Sequence, residues 1–318
     1  MKKIYWADRE GISPPPHCTF HFCPFSSLHE YSSAVRQTDL PTPAHFKVVK
    51  RRYSPTQEEW KRGVEQTLRL MQQEKLEKVV LARTCTLELE EAPDPFAIAA
   101  SLKPKAQGAF LFCVQSDTEG FLGATPERLF ARNGRNLRSE AVAGTRRRGV
   151  TAEEDEALQK ELLSSAKDIR EFIPVQTYLK NALSPLCLTP LSFTPVTVHR
   201  TQNVQHLYSQ CSGILKKETT DQEILSSLHP TPALCGAPKQ KAYSVIREFE
   251  QFDRGLYGGV IGWTTSESSE WIVGIRSCLI RGKTATLFSG TGVVEGSDAE
   301  EEWDELNQKL RLYDGIFI

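Results

Sequence analysis

The chain reads Ser289-Gly-Thr-Gly-Val-Val294 near its C-terminus and, a few residues later, Glu302-Trp-Asp-Glu-Leu-Asn-Gln-Lys309. Gly290 and Gly292 carry no Cβ, so the backbone there can turn sharply or pass close to a ligand. The side chain of Ser297 or Asp298 is placed to cap a helix that begins just after it. The two segments therefore predict a glycine turn that leads into a capped helix.

The predicted helix carries two neighbouring stripes. Trp303 and Leu306 lie three residues apart and form a buried stripe, whereas Glu302, Glu305 and Lys309 follow the same spacing beside it. Two carboxylates one turn apart, next to an ammonium group, could hold a hard divalent cation and an anionic ligand. The same spacing is typical of a solvated helix face, and this stretch alone does not decide between the two interpretations.

Length and charge limit the classes of partner. A chain of 318 residues can bury a large core as one domain or two. The formal net charge of −1 argues against nucleic acid and against an anionic membrane as bulk partners. No apolar run approaches the ~18 residues of a membrane span. The eight cysteines form no Cys-x-x-Cys motif and are typical of buried thiols in a reducing compartment, so we expect a cytoplasmic protein.

Other titratable residues lie upstream. Lys78 begins a β-branched run that predicts a strand, where a lysine is typical of an exposed sheet edge. Glu127 follows a proline at the start of a predicted hairpin. Asp168 and Glu171 lie one turn apart in a predicted helix and form a second acidic pair, about 130 residues before the C-terminal one. The sequence by itself does not say whether the two pairs meet.

The order of predicted elements indicates the fold class. Thr56 and Glu59 predict a capping box, after which Trp60 and Val64 begin the inner stripe of a helix. The strands follow one another largely as meanders, which favours an α+β fold over an α/β fold. Residues 1–50 are predicted to be an irregular N-terminal segment that precedes one domain over residues 51–318.

A series of short blocks, from about residue 55 to the C-terminus, resembles the chorismate-utilising enzymes and, among them, the isochorismate synthases most. The number and order of the blocks make the resemblance specific. The blocks are Lys78-Val-Val-Leu-Ala-Arg, Gly123-Ala-Thr-Pro-Glu-Arg-Leu, Ala141-Val-Ala-Gly-Thr-Arg, Lys167-Asp-Ile-Arg-Glu, His229-Pro-Thr-Pro-Ala-Leu-Cys-Gly, Arg254-Gly-Leu-Tyr-Gly-Gly, Gly274-Ile-Arg, Gly290-Thr-Gly and Glu302-Trp-Asp-Glu.

The resemblance implies a fold and a cofactor. The fold would be a large α+β domain with antiparallel sheets packed centrally and helices outside, so that residues 51–318 form a chorismate-binding catalytic domain. The implied cofactor is Mg²⁺, bound by Glu171 and Glu305, with Asp168 and Glu302 one turn before them as indirect or water-mediated partners. Mg²⁺ takes few carboxylates and keeps several waters, so two ligands and a substrate carboxylate suit it.

The implied reaction is the isomerisation of chorismate to isochorismate, in which water adds at C2 and the C4 hydroxyl leaves. By resemblance, Lys78 is the base that activates water, and Glu127 is the acid that protonates the departing hydroxyl. At neutral pH a free lysine is protonated and a free glutamic acid is ionised, so the pocket has to reverse both protonation states.

The remaining implied residues bind substrate. Tyr257 and Arg276 would clamp the enolpyruvyl carboxylate, for which a guanidinium group is well shaped. The rest of the pocket would be lined by Gly144, Thr145, His206, Thr231, Gly290, Gly292 and Lys309.

Two positions distinguish the branches of this family. Members that deliver ammonia typically carry glutamine in place of Lys78, and members with a nucleophilic lysine carry it in place of Ala143. The chain therefore resembles the water-using members, which are isochorismate synthase and salicylate synthase, and no obligate glutaminase subunit is expected. Salicylate synthase, an ammonia-using enzyme and a non-catalytic relative remain alternatives. A monomer or a homodimer is expected, and a role in menaquinone or siderophore synthesis is left open.

Overall fold

The computed structural model describes residues 2–26, 31–33, 35–74 and 76–318, which form eighteen strands, seven α-helices and three short 3₁₀ turns. The strands are β1 (Lys2–Ala7), β2 (Thr19–Cys23), β3 (Tyr31–Ser33), β4 (Val35–Gln37), β5 (Val48–Ser54), β6 (Lys78–Leu89), β7 (Phe110–Gln115), β8 (Gly120–Thr125), β9 (Arg128–Asn133), β10 (Asn136–Arg147), β11 (Ser192–Phe193), β12 (Thr197–Arg200), β13 (Val204–Ile214), β14 (Gly236–Ala237), β15 (Val260–Thr264), β16 (Ser268–Val273), β17 (Ser277–Arg281) and β18 (Thr284–Val294). The helices are α1 (Gln57–Glu74), α2 (Pro95–Leu102), α3 (Ala152–Ser164), α4 (Ala166–Leu183), α5 (Asp221–Leu228), α6 (Lys239–Phe249) and α7 (Ala299–Leu310).

The strands form two nine-stranded sheets. The first sheet has the order β14-β6-β18-β17-β8-β7-β1-β4, with β5 paired to β6, and the second has the order β11-β13-β10-β9-β16-β15-β2-β3, with β12 paired to β13. Among the described strands every pair is antiparallel except β1 with β4. The predicted α+β class, with central antiparallel sheets and helices outside, is confirmed.

An aromatic cluster packs the two sheets against each other. Trp6 and Phe110 of the first sheet meet Phe20 of the second sheet, and all three side chains are buried. Large aromatic side chains fill this space because each removes much apolar area from water. A second apolar cluster joins the sheets to the helices, with Trp60 of α1 and Trp303 of α7 in contact. No helix in the described part of the chain is long and apolar enough to cross a membrane.

The prediction that residues 1–50 are irregular is wrong. Strand β1 pairs with β7 in the first sheet, β2 pairs with β15 in the second, and Ile4 and Trp6 are buried between the sheets. The boundary placed after residue 50 falls inside β5. These short strands are stabilised by long-range pairing with central strands, and a local pattern does not contain that information.

Helix α1 confirms its predicted cap and inner stripe. The backbone N–H of Thr56 donates to the Glu59 carboxylate at 2.8 Å, and Trp60 and Val64 are fully buried. The indole N–H of Trp60 donates to the carbonyl of Ala299 at 3.1 Å, which ties α1 to the first turn of α7.

We therefore expect Trp60→Ala to lower the free energy of unfolding by about 3–5 kcal/mol, because the change leaves a large cavity. It also leaves the carbonyl of Ala299 without its donor. Urea unfolding followed by fluorescence or circular dichroism measures this. The control is Gln66→Ala, at an exposed position of the same helix, which should change stability by less than about 0.5 kcal/mol. Equal effects of the two substitutions would contradict the prediction.

Candidate active site

Lys78 lies at the first position of β6, where its backbone is paired with both β14 and β18. Its side chain is fully buried, so the exposed sheet edge that is typical of a lysine in this position does not occur here. The ammonium group donates to Oε1 of Glu171 at 3.0 Å. Burying a lysine is costly unless the charge is paired, and Glu171 of α4 provides that partner.

Gly292 makes room for this ion pair. A Cβ at Gly292 would lie 2.5 Å from Oε1 of Glu171 and 2.7 Å from Cε of Lys78, distances that no real side chain tolerates. Gly290, two residues earlier on β18, has the same role toward Tyr257, whose hydroxyl would lie 2.4 Å from an added Cβ. The predicted glycine turn is wrong, because both glycines lie within strand β18 and pair with β6; the missing side chains instead let other side chains approach the backbone closely.

Glu127 lies between β8 and β9 and is buried. Its backbone is held on both sides: the N–H donates to the Thr125 hydroxyl at 3.2 Å, and the carbonyl accepts from the N–H of Val273 at 3.1 Å. Burial raises the pKa of Glu127 to about 8, although the nearby charge of Lys78 acts in the opposite direction. The carboxyl group is therefore largely protonated at neutral pH, as an acid catalyst requires.

The two acidic pairs meet on β18. Helices α4 and α7 both contact this strand, whose residues 288–294 are not paired with β17. The Thr291 hydroxyl lies 2.6 Å from Oε2 of Glu302 and 2.9 Å from Oε1 of Glu305. On the α4 side, burial raises the pKa of Asp168, and the charges of Glu171 and Glu305 raise it further. The charges of the two pairs therefore act on one another, although about 130 residues separate them in sequence.

Each of the four carboxylates also lies beside a cation. The ion pairs are Lys78–Glu171 at 3.0 Å, Arg146–Asp168 at 2.9 Å, Lys167–Glu302 at 2.7 Å and Lys309–Glu305 at 2.7 Å. Burial raises the pKa of Glu302, and the neighbouring charge of Glu305 adds to this. Burial also acts upward on Glu305, but the charge and hydrogen bond of Lys309, together with Thr291 and Lys167, lower its pKa. Glu305 therefore keeps its negative charge.

This set of donors fits a hard cation such as Mg²⁺. Asp168 Oδ2 and Glu302 Oε1 are buried, and each faces a cation, Nη2 of Arg146 at 2.9 Å and Nζ of Lys167 at 2.7 Å, which fits their place as indirect partners of a cation. Glu171 and Glu305 are the less buried members, with 14% and 17% of their side chains exposed. Within the described residues no three His, Cys, Asp or Glu side chains are grouped to hold a metal alone. Water or substrate oxygens would have to complete the coordination.

Arg276 is held by His206. Burial and the adjacent Arg276 lower the pKa of His206 well below its ordinary value, so the ring is neutral. Its Nδ1 lies 2.9 Å from the carbonyl of Gly144 and must carry the proton, because a carbonyl only accepts. Nε2 therefore accepts from Nη2 of Arg276 at 2.9 Å. Arg276 has a φ of 51°, in the left-handed region that is rare for residues with side chains and that is often found at functional sites.

A cavity joins these groups. The free space between its lining residues, including the part that is open to solvent, is about 700 Å³. Of the sequence-predicted residues, it is lined by Glu127, Gly144, Thr145, Glu171, His206, Tyr257, Arg276, Gly290, Gly292 and Lys309.

Five predicted residues do not line the cavity. Four of them contact residues of its wall, that is, the residues that line it, and the fifth is Thr231. Lys78 contacts Glu171 and lies close to Gly292, both of which line the cavity. Asp168, Glu302 and Glu305 are linked to the wall through Gly144, Thr291 and Lys309. Thr231 is buried but does not line the cavity, although Ala233 and Leu234 of the same loop do. The assignment of Thr231 to substrate stays a prediction.

Sequence reasoning missed Arg254 as part of the wall. Its guanidinium donates to the carbonyls of Val80 and Leu234, both at 2.8 Å, and to the Glu250 carboxylate at 2.7 Å. These contacts join β6 to the loop that precedes β14 and to the end of α6. The signal was present, because Arg254 begins one of the blocks that carry the resemblance, but the block alone did not reveal its contacts.

Comparison with known proteins identifies the family to which the chain belongs. A family model described as "Chorismate binding enzyme" matches residues 25–313, and the chain belongs to this family. Among its relatives, isochorismate synthase 2, chloroplastic, of Arabidopsis thaliana is 39% identical over 270 residues, which are 84% of this chain and 48% of the relative. The vibriobactin-specific isochorismate synthase of Vibrio cholerae is 33% identical over 279 residues, which are 86% of this chain and 70% of the relative.

A solved structure supports the same placement. The menaquinone-specific isochorismate synthase MenF from Escherichia coli matches with a TM-score of 0.85 and 25% identity, over 97% of this chain and 87% of that one. The chain spans about half the length of the first curated relatives that it matches.

The raised pKa of Glu127 gives a test that needs no substrate. Between the ordinary value of 4.5 and about 8, the folded protein holds a proton that the unfolded chain has released. Stability attributable to this group therefore falls as pH rises through that window. Glu127→Gln removes the titration, so we expect wild type to lose stability relative to the variant by roughly 1.4 kcal/mol per pH unit in that range.

Urea unfolding of both proteins from pH 5 to pH 8.5 measures the difference, in which all other titrations cancel. Glu91→Gln, at an exposed position, is the control and should give a difference that does not change with pH. A constant difference for Glu127→Gln would show that Glu127 is ionised throughout.

Proposed function

We propose that the protein is an isochorismate synthase, which converts chorismate to isochorismate. The observation that carries this proposal is the buried carboxyl of Glu127, which lines the cavity and is protonated at neutral pH, while Lys78, buried behind the cavity, is near enough for its charge to act on Glu127. An amine and an acid of this kind suit a reaction that adds water at one ring carbon and removes hydroxide from another. The relatives named isochorismate synthase support the same activity.

The acid and base divide the reaction between them. Lys78 is proposed as the base: its Nζ, which is an ammonium paired with Glu171 in this structure, has to lose a proton before it takes one from the water whose oxygen attacks C2 of the ring. The double bonds shift, and the C4 hydroxyl leaves as water with a proton from Glu127. One water enters and one leaves, so the product is an isomer of the substrate. The protonated state of Glu127 at neutral pH supports its role, because hydroxide alone is a poor leaving group.

Cationic groups suit a substrate with two carboxylates. Arg276 and Lys309 line the cavity, and Arg276 uses one nitrogen for the neutral His206. The other guanidinium donors are placed to hold the enolpyruvyl carboxylate beside Tyr257, since this geometry suits a carboxylate. Tyr257 is oriented by stacking on Phe288 at 5.0 Å between ring centroids.

We assign Mg²⁺ as the cofactor, held by Glu171 and Glu305, with Asp168 and Glu302 as indirect partners. An Mg²⁺ ion held there would supply Lewis-acid chemistry, a positive charge toward the anionic substrate. This assignment is supported by the oxygen-only donor set and by the two exposed carboxylate edges.

Water rather than ammonia is the proposed nucleophile. Lys78 and Ala143 occupy the two positions that distinguish the branches of the family, and Ala143 lines the cavity where a nucleophilic lysine would otherwise lie. We therefore propose that no glutaminase subunit is required. A cytoplasmic location is proposed because all eight cysteines are free.

The decisive experiment is product analysis. Purified protein with chorismate and Mg²⁺ should form isochorismate, and EDTA should abolish the reaction until Mg²⁺ is restored. Chromatography separates isochorismate from salicylate plus pyruvate and, after addition of ammonium, from an aminated product. Salicylate would identify a salicylate synthase and an aminated product an ammonia-using enzyme, whereas unchanged chorismate would refute enzymatic activity on this substrate.

The acid and base are tested by substitution. Lys78→Ala and Glu127→Gln should each lower kcat by roughly 10²–10⁴-fold, the usual contribution of general acid–base catalysis. Circular dichroism should show that both variants keep the fold. Lys47→Ala and Glu91→Gln, both at exposed positions, are the controls and should retain wild-type rates. Near wild-type turnover in either site variant would mean that its role is assigned to the wrong residue.

A further inference from the structure

A buried ion network lies behind Glu127. At its centre is Glu140 of β10, whose side chain is fully buried. Its Oε1 accepts from Nη1 of Arg128 at 2.7 Å and from Nη1 of Arg9 at 3.0 Å, while Oε2 accepts from Nη2 of Arg9. Arg128 also donates to Glu270 of β16 at 2.7 Å. Two guanidinium groups and two carboxylates thus balance their charges inside the protein.

The network holds the chain on both sides of Glu127. Nη2 of Arg9 also donates to the carbonyl of Pro126, the residue before Glu127. Arg128 is the residue after it, and both guanidinium groups lie over the ring of Phe110, at 4.9 and 5.1 Å from its centroid. Both neighbours of the proposed acid are therefore attached, directly or through Arg9, to one carboxylate.

We propose that Glu140 is a positioning residue for the reaction: through Arg9 and Arg128 it fixes the backbone around Glu127 and places a negative charge behind it. This inference rests on the proposed function, because there Glu127 is the proton donor. Glu140 does not line the cavity, so it acts on the substrate only through Glu127.

The charges around Glu127 define the expected effect. Burial is the main reason for its raised pKa; Lys78 of β6 opposes it, Glu140 adds to it, and Arg276 and Arg9 oppose it. The hydroxyl of Tyr257 also faces this group. Without the Glu140 charge, Arg128 keeps Glu270 but Arg9 has no carboxylate from this network, so a positive charge remains unbalanced beside the acid. Glu127 should then release its proton at lower pH.

The network also gives the N-terminal segment a role. Arg9 follows β1 and lies before residue 25, where the family match begins. Strand β1 is fixed in the first sheet by its pairing with β7, which brings Arg9 to Glu140 of the second sheet. Arg9 is thus part of the environment of the proposed acid, although it lies outside the matched region.

The test is the pH dependence of kcat/KM for chorismate, which reports ionisations of the free enzyme. In Glu140→Gln the alkaline limb, where Glu127 loses its proton, should move to lower pH by roughly one unit. In Arg9→Gln it should move to higher pH, and in Glu140→Asp it should stay near the wild-type position. Glu270→Gln is the comparison variant: Glu270 also pairs with Arg128, but its charge is not among those that act on Glu127, so the limb should move less than in Glu140→Gln.

Unchanged limbs in both Glu140→Gln and Arg9→Gln would overturn the inference, since a purely structural role lowers activity equally at every pH. If Glu140→Gln does not fold, Arg9→Gln alone decides the question, because the upward shift is expected only if the network acts on Glu127.

A second measurement separates this inference from the proposed function. The stability difference between a protein and its Glu127→Gln variant is measured against pH without substrate, and the midpoint of its change reports the ionisation of Glu127. The comparison is made once in wild type and once in a protein that already carries Glu140→Gln. A downward move in the presence of Glu140→Gln supports the network even if wild type does not convert chorismate. An unchanged midpoint overturns it even if wild type is an active isochorismate synthase.

Discussion

Strands β6 and β18 pair antiparallel from Val294 opposite Lys78 to Thr284 opposite Glu88, and the site depends on this register. The pairing brings the lysine to the end of β18 that carries Gly290 and Gly292. Because these residues have no side chains, Tyr257 and Glu171 can approach the strand. A register shift of one residue would turn Lys78 to the opposite face of the sheet and separate it from its partner.

The second constraint is that the charged side chains buried at the site must neutralise one another. The site contains four carboxylates of the two acidic pairs and four cations beside them, and removing charges from water is costly unless each has a partner. Glu127 differs, because no ion pair neutralises it in the described part of the chain, and it stays protonated instead. Protonation state therefore distinguishes Glu127, the proposed acid, from the four ion-paired carboxylates, although all five side chains carry the same chemical group.

The two sheets contribute unequally to the site. The first sheet supplies Lys78 and the glycine strand β18, whereas the second supplies Glu140, Gly144 and His206 from β10 and β13. The aromatic cluster packs the two sheets against each other. The N-terminal strands belong to this same packing, so the segment before residue 50 supports the site as well as the fold.

The sequence alone determined the features that depend on neighbouring residues. The α1 cap, its buried stripe, the acidic pairs on helices and the class of the fold follow from spacing, and the order of blocks indicated the family. Tertiary structure decided the rest: that Lys78 is buried, that the pairs at 168–171 and 302–305 meet, that β1 to β4 lie within the first 50 residues, and that Arg254 lines the cavity. The physical reason is the distance along the sequence between the residues that contact each other. Helix caps and stripes are set by contacts three or four residues apart, whereas ion pairs and edge strands form between segments that sheet pairing alone brings together.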